Sequence, residues 1–371
     1  MNGFYWIYFI MFAFLMGYHF AGSRETKTRL YWIACGFLIL MFALQDAGVS
    51  TDIEEYMRQF ALIPGLSFGE MLTHKFEIGY VLLNKMLAAM FESDRVLMVV
   101  MSFLILIPFG ICFEKETEEP MMALMSFLAV GMYIHSIIYW RQLCAMGILM
   151  FSYRFIRERK PVPFLLMVLA AMTFHKASVV FVVMYIAYVI PVSKWLMLGM
   201  GAVSVVLGIF GQPLVRFVTQ FIYKYEEFYF VPDGGFTMTA VLWIFTLLVY
   251  WLMRERLEEP RIKVPFLMIL IAATLQPVCL AFYNWLRIVL FFRVAMVLLI
   301  PELYVTVFKQ KENNKLLILM EKWMPGIHRA VLAVYEKKWF RAAVQVVIFA
   351  ILFLWYADEL DGAVYLMVPV Y

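Results

Sequence analysis

The chain is written as long apolar runs broken by short polar corners. Runs near the roughly 17–25 residues that a membrane helix needs occupy 3–22, 30–46, 95–113, 121–139, 236–253, 264–283 and 288–308. Shorter apolar runs occupy 142–156, 162–174, 177–190, 195–210 and 342–357. The run 78–91 is short and carries Asn84 and Lys85, which suits a re-entrant or interfacial helix rather than a crossing. The pattern predicts an all-α, polytopic membrane bundle of about twelve crossings. Residues 1–371 form one membrane domain, with no internal repeat.

Composition gives the same answer. The sequence is 64% hydrophobic and 16% charged, against roughly half and a quarter in soluble domains. A water-soluble fold has no place to hide that much apolar surface. The net charge of +4 is small and gives no reason to expect a nucleic-acid partner. Cys35, Cys112, Cys144 and Cys279 all fall within or at the ends of apolar runs. Their spacing suits small buried hydrophobes, not a metal cluster or a disulfide framework. Residues 1–10 carry no Lys or Arg, so the first run reads as a retained helix and not a cleavable signal.

Basic loops stay in the cytoplasm. The loops 23–29, 154–160, 254–263 and 309–341 are rich in Lys and Arg. Placing them inside puts 47–94, the Trp140–Arg141 corner, the His175 corner, the 211–235 loop, the Asn284–Arg287 corner and both termini outside. The acidic loop 114–120 must then lie inside, where it fits poorly, but acidic residues weigh little in this rule. The basic 309–341 stretch reads as an amphipathic segment along the inner leaflet.

Ionisable groups are expensive in lipid, so each one near an apolar run is a functional candidate. Four corners stand out, all on the predicted outer face. The first runs from Gln45 to Asp52 and on to Tyr56. Thr51 or Asp52 there caps the following helix, or Asp52 is a carboxylate at a cavity. At the second, Arg141 and Gln142 open a helix. Arg141 is there either as an interfacial anchor or as a phosphate clamp at a helix N-terminus. The third places His175 beside Lys176 at a hairpin tip, as a satisfied core residue or a general base. The fourth holds Arg287, with Arg293 deeper in the next run, about 240° around the helix from it. Glu77 and Asn84 sit on the doubtful run. The loop 223–233 mixes Tyr223, Tyr225 and Tyr229 with Glu226, Glu227 and Asp233.

There is no P-loop, dinucleotide fingerprint or nucleophile elbow. There is also no Asp-x-Asp pair to hold a metal–nucleotide-sugar donor. A glycosyltransferase built this way would take a lipid-linked donor with a phosphate leaving group.

Read together, the corners resemble the EpsG-type exopolysaccharide polymerases, a branch of the Wzy-like membrane polysaccharide polymerases. The resemblance rests on Val49-Ser50-Thr51-Asp52 with Tyr56, and on Glu77-Ile78-Gly79-Tyr80 leading to Leu82-Leu83-Asn84. It continues through Arg141-Gln142, Phe174-His175-Lys176-Ala177-Ser178, Arg287 and a terminal Val368-Pro369. Gln45 stands where that family often has Arg, and Ser50 where it often has Gly. The resemblance implies a polymerase that joins undecaprenyl-diphosphate-linked repeat units on the outer face of the cell membrane. It assigns the diphosphate to Arg141 and Arg287, with Arg293 assisting, and the acceptor hydroxyl to Asp52 or His175. Tyr56, Glu77, Gln142 and Lys176 are then expected to line the substrate cavity. No cofactor or metal is implied. The implied partners are the lipid-linked oligosaccharide, membrane lipid, a chain-length regulator and other assembly proteins. A polysaccharide ligase, a flippase for the lipid-linked unit and a membrane acyltransferase are the alternative readings.

Overall fold

A computed structural model describes residues 2–46, 48, 50–222, 235–309 and 314–367. Every regular element among them is helical. Three features of the sequence reading lie outside the described residues: the aromatic and acidic loop 223–233, Val49 and the terminal Val368-Pro369.

The chain opens with α1 (Asn2–Phe20) and α2 (Arg24–Ala43), joined by a turn in which Ser23 caps α2 by accepting the Thr26 N–H at 3.1 Å. Helix α3 (Thr51–Leu62) is capped by Ser50, which accepts the Ile53 N–H at 3.3 Å. The cap is therefore Ser50, not the Thr51 or Asp52 expected from sequence, and the Asp52 carboxylate is not spent on capping. A Ser67–Glu70 capping box starts α4 (Phe68–Thr73), and α5 (Ile78–Met90) follows. At 13 residues α5 is about 20 Å long, short of the ~30 Å hydrocarbon thickness.

Helix α6 (Arg95–Glu116) is long and apolar. The expected span 121–139 is broken into α7 (Pro120–Ala129) and α8 (Met132–Ile138), bent by 63°. Gly131 makes the bend with φ 77°, a left-handed conformation that suits a residue without Cβ. Next come α9 (Trp140–Met150), α10 (Tyr153–Arg157) and α11 (Pro161–Met172). A 3-10 segment, Lys176–Val182, leads into α12 (Val183–Ala187). The second half holds α13 (Lys194–Ile222), α14 (Gly235–Leu252), α15 (Pro260–Leu275), α16 (Leu286–Arg293) and α17 (Met296–Lys309). Short helices α18 (Lys315–Trp323) and α19 (Pro325–Val334) precede α20 (Lys338–Met367).

Among the described residues, five helices are long and apolar enough to cross a membrane, or up to six if the bent α7–α8 pair is one span. The reading of about twelve crossings also leaned on shorter runs: 162–174 forms α11 and 177–190 forms the segment Lys176–Ala187, both within 10–17 residues, and the apolar part of the expected span 236–253, Phe236–Leu252, also falls in that class. The span Pro260–Leu280 is 94% buried and Leu286–Phe308 is 89% buried, so these form the centre. Lys194–Phe217 is 17% buried and presents Leu198, Ile209 and Phe217 outward. An all-round apolar helix with one exposed side belongs against lipid. Inside, three buried tyrosine hydroxyls find backbone partners. Tyr8 donates to Leu128 O at 2.7 Å, Tyr31 to Gly110 O at 2.7 Å and Tyr133 to Leu38 O at 2.8 Å. Such bonds tie the first helices to the centre where no water can substitute. All four cysteines are buried among these side chains.

Several of the basic loops meet acidic or polar partners. Arg157 makes a forked ion pair with Glu116, at 2.5 and 2.8 Å. The acidic loop 114–120 therefore sits beside the basic loop 154–160. Arg24 and Lys27 share a polar cavity with Glu114, Glu118 and Lys338. Arg256 donates to Thr306 near the end of α17 at 2.7 Å, and Lys315 to Trp251 O at 3.0 Å. Helices α18 and α19 expose Ile318, Leu319, Trp323 and Ile327 between their charges, as an interfacial segment does.

Sidedness is testable with an impermeant maleimide. Cysteines introduced by Lys115→Cys and Lys160→Cys, both exposed, are expected to react only after the cells are permeabilised. Lys176→Cys is expected to react in intact cells. The reverse pattern overturns the orientation.

Candidate functional site

Helix α3 presents Asp52, Glu55 and Tyr56 on one face, because residues three and four apart stack on the same side. Phe76 and Glu77 lead into α5, and Tyr139, Arg141 and Gln142 cluster at the start of α9. The turn after α11 brings His175, and the first turn of α16 brings Arg287. These corners enclose one cavity of about 50 Å³.

Glu77 holds the corners together. Its side chain is 7% exposed. One carboxylate oxygen forms an ion pair with Arg141. The other accepts the Lys176 backbone N–H at 3.0 Å and lies 3.7 Å from His175 Nδ1. Two residues on, the Gly79 N–H donates to Thr173 O at 2.8 Å. A Cβ on Gly79 would lie 2.8 Å from that same carbonyl oxygen, so only glycine fits. The Glu77 and His175 motifs are thus locked by backbone as well as charge.

Arg141 sits in an aromatic setting. Its guanidinium lies 4.3 Å from the Phe76 ring centroid and 6.0 Å from that of Tyr56. Tyr56 in turn stacks on Trp140 at 4.9 Å. Cation–π attraction strengthens when the cation is desolvated, and it fixes the plane of the fork. Arg287 lies over Tyr139 at 5.3 Å and has no carboxylate partner among the described residues. Gln142 donates to Arg287 O at 2.6 Å, coupling the two Arg corners.

Several polar atoms here are buried without a hydrogen-bond partner: Arg141 Nε, Gln142 Oε1 and both His175 ring nitrogens. Unmet groups of this kind cost about 1–3 kcal/mol each. A polar ligand in the cavity would satisfy them. Burial pushes His175 below the usual imidazole range. Glu77 opposes that shift, while Arg141 and Arg287 reinforce it. This shift favours the neutral ring.

Burial raises the Glu55 carboxyl, but bonds from Lys75, Arg58 and Gln59 outweigh it and hold the group at about 2. It is committed to those partners. Asp52 lines the same cavity and has no ion pair among the described residues.

Of the residues expected from sequence, Asp52, Tyr56, Arg141, Gln142, His175 and Arg287 line the cavity, and Glu77 ties its wall. Two do not join them. Lys176 is exposed and contributes its backbone N–H. Arg293 is 3% exposed and donates to Val130 O at 3.4 Å, at the break between α7 and α8. The helical offset from Arg287 sends it there. Phe76 was not foreseen, since an aromatic residue before Glu77 carries no signal of its own.

A family model described as the EpsG family matches residues 28–321. The chain belongs to the EpsG family. Every residue of the cavity, from Asp52 to Arg287, falls within the matched span. Comparison with curated proteins and with solved structures gives no match.

Two outcomes are expected for this EpsG-family site. Glu77→Gln leaves Arg141 buried and uncompensated, which costs about 3–5 kcal/mol and lowers the unfolding temperature in detergent. Adding Arg141→Gln recovers part of that loss. Simple additivity of the two changes would show that the pair is not coupled. In spectra of carbon-13-labelled histidine, the resonance missing from His175→Asn should not titrate between about pH 6 and 8. Protonation is expected only at lower pH. A midpoint near the free imidazole value would overturn the neutral assignment.

Proposed function

We propose that this protein polymerises polysaccharide from undecaprenyl-diphosphate-linked repeat units at the outer face of the cell membrane. Membership of the EpsG family supports the polymerase class. The observation that carries the chemistry is the convergence of Arg141, Arg287, His175 and Asp52, from four distant corners, on one cavity.

The reaction needs two things, and the cavity supplies candidates for both. Asp52 or neutral His175 takes the proton from the acceptor hydroxyl. The freed oxygen attacks the anomeric carbon of the growing chain and forms the new glycosidic bond. The bond from that carbon to the lipid diphosphate breaks, and the diphosphate leaves as an anion. Arg287 receives the first phosphate charge, since it is not neutralised by a carboxylate. Arg141 adds a planar, two-pronged contact once the anion competes with Glu77 for it. In this scheme arginine neutralises the leaving group, and no metal takes part. Tyr56 and Gln142 shape the wall.

The basic loops at the opposite end support an outer-facing cavity in a bundle of about twelve crossings with both termini outside. Substrate and membrane lipid are the direct partners. A chain-length regulator and other assembly proteins are further ones. A flippase would expose its polar groups to both sides near the midplane, whereas these residues gather at one end. A ligase would share the donor chemistry and differ in acceptor.

The test is a deletion strain complemented with wild type, Arg141→Ala or His175→Ala, with membrane levels of each variant measured. Long polymer should fall by about 100-fold or more, the scale of losing one positioned charge donor. Single lipid-linked units should accumulate on the outer leaflet. Normal polymer from Arg141→Ala sinks the clamp, and accumulation on the inner leaflet makes the protein a flippase.

A further inference from the structure

A second opening lies on the flank of the bundle, between α2 and α6. It is a groove of about 620 Å³, lined almost wholly by apolar side chains. Gly36, Leu40 and Leu44 form one wall, at the i, i+4, i+8 spacing of a single helix stripe. Val99 and Phe103 form the other wall, and Arg95 stands at one end. Leu40 is 51% exposed and Leu44 is 65% exposed, so the stripe lacks a protein partner.

Two details bear on what this groove holds. The first is Gly36. A Cβ placed there meets nothing within 4 Å, so no neighbouring helix requires a glycine. Glycine inside a helix costs about 1 kcal/mol relative to alanine. What it provides here is a notch in the groove wall. The second is Arg95, the first residue of α6. It is exposed, has no carboxylate partner among the described residues, and donates to Gln45 O. Gln45 lies five residues before Ser50, the cap of the helix that carries Asp52 and Tyr56. The cation therefore stands at the same end of the bundle as the candidate cavity.

We propose that this groove seats the hydrocarbon chain of a polyprenyl phosphate lipid, with Arg95 on its phosphate. The proposal rests on the polymerase reading and adds a holding place for the lipid part of the substrate. A lone cation at the head of an apolar channel complements an anionic headgroup. A zwitterionic headgroup brings its own cation and gains little from Arg95. The notch at Gly36 accommodates a methyl branch, which a polyprenyl chain carries on each isoprene unit and a straight acyl chain lacks.

The experiment uses the full chain in phosphatidylcholine nanodiscs and a photoreactive polyprenyl phosphate, with adducts located by mass spectrometry. Adducts are expected on segments 33–44 and 95–103. Gly36→Phe, whose Cβ meets nothing within 4 Å, projects its ring into the groove and should cut labelling about tenfold. The smaller Gly36→Leu and the charge-removing Arg95→Gln should reduce it as well. Unfolding temperatures identify any variant that fails to fold. Excess polyprenyl phosphate should abolish labelling, while phosphatidylglycerol at the same mole fraction should not. Adducts elsewhere, labelling indifferent to Gly36→Phe, or equal competition by phosphatidylglycerol each overturn the proposal. Labelling needs no sugar transfer, so Arg141→Ala should still label the groove. Normal polymer from Gly36→Phe, with labelling unchanged, removes the groove and leaves the polymerase reading standing.

Discussion

Taking a carboxylate out of water costs several kcal/mol unless other charges and hydrogen bonds replace its hydration. Glu77 meets that demand with partners from two other parts of the chain: the Arg141 guanidinium and the backbone N–H of Lys176. The demand works in both directions. Arg141 is buried between aromatic rings and needs the carboxylate as much as the carboxylate needs it. One end of α5, one end of α9 and the turn after α11 are therefore held in register by a single ionised group. The cavity that Asp52, His175 and Arg287 share exists because that register is fixed.

Much of this was legible in the sequence, because the bilayer imposes strong rules. Apolar run length marked the helices, and the rarity of charge near lipid marked Asp52, Arg141, His175 and Arg287. Charge at helix ends also grouped the loops, and the Arg157–Glu116 pair brings the acidic 114–120 loop beside the basic 154–160 loop. What the sequence did not show depends on direction in three dimensions. Nothing in a one-dimensional pattern shows that Arg293 turns towards Val130 O, although its helical offset from Arg287 says that it turns away. Nor does it show that Ser50, not Thr51 or Asp52, caps α3. Phe76 joins the site only because the chain folds over Arg141 there. The break at Gly131 was also hidden, since a bent pair and a straight helix have the same hydropathy.

The two openings divide the demands of an amphiphilic substrate. One is small, polar and walled by paired or orphaned hydrogen-bonding groups. The other is larger, apolar and open on the flank. They have different physical requirements: the first depends on exclusion of water and fixed dipoles, the second on unfilled space. Helix α2 runs along the groove, and the chain continues from its end into the cap of α3, so both openings draw on one continuous stretch of chain.

The Glu77 bonds also impose an order on biogenesis. Arg141 lies 64 residues after Glu77 in the chain, and Lys176 lies 99 after it. At ribosomal speeds of about 5–20 residues per second, the carboxylate waits roughly 5–20 seconds for the last of these partners. During that interval it must stay hydrated. The short α5 is suited to the wait, because a helix too brief to cross the bilayer leaves its charged end at the water boundary. The ion pair therefore waits for Arg141, and the last of the Glu77 bonds closes only when the turn carrying Lys176 has arrived.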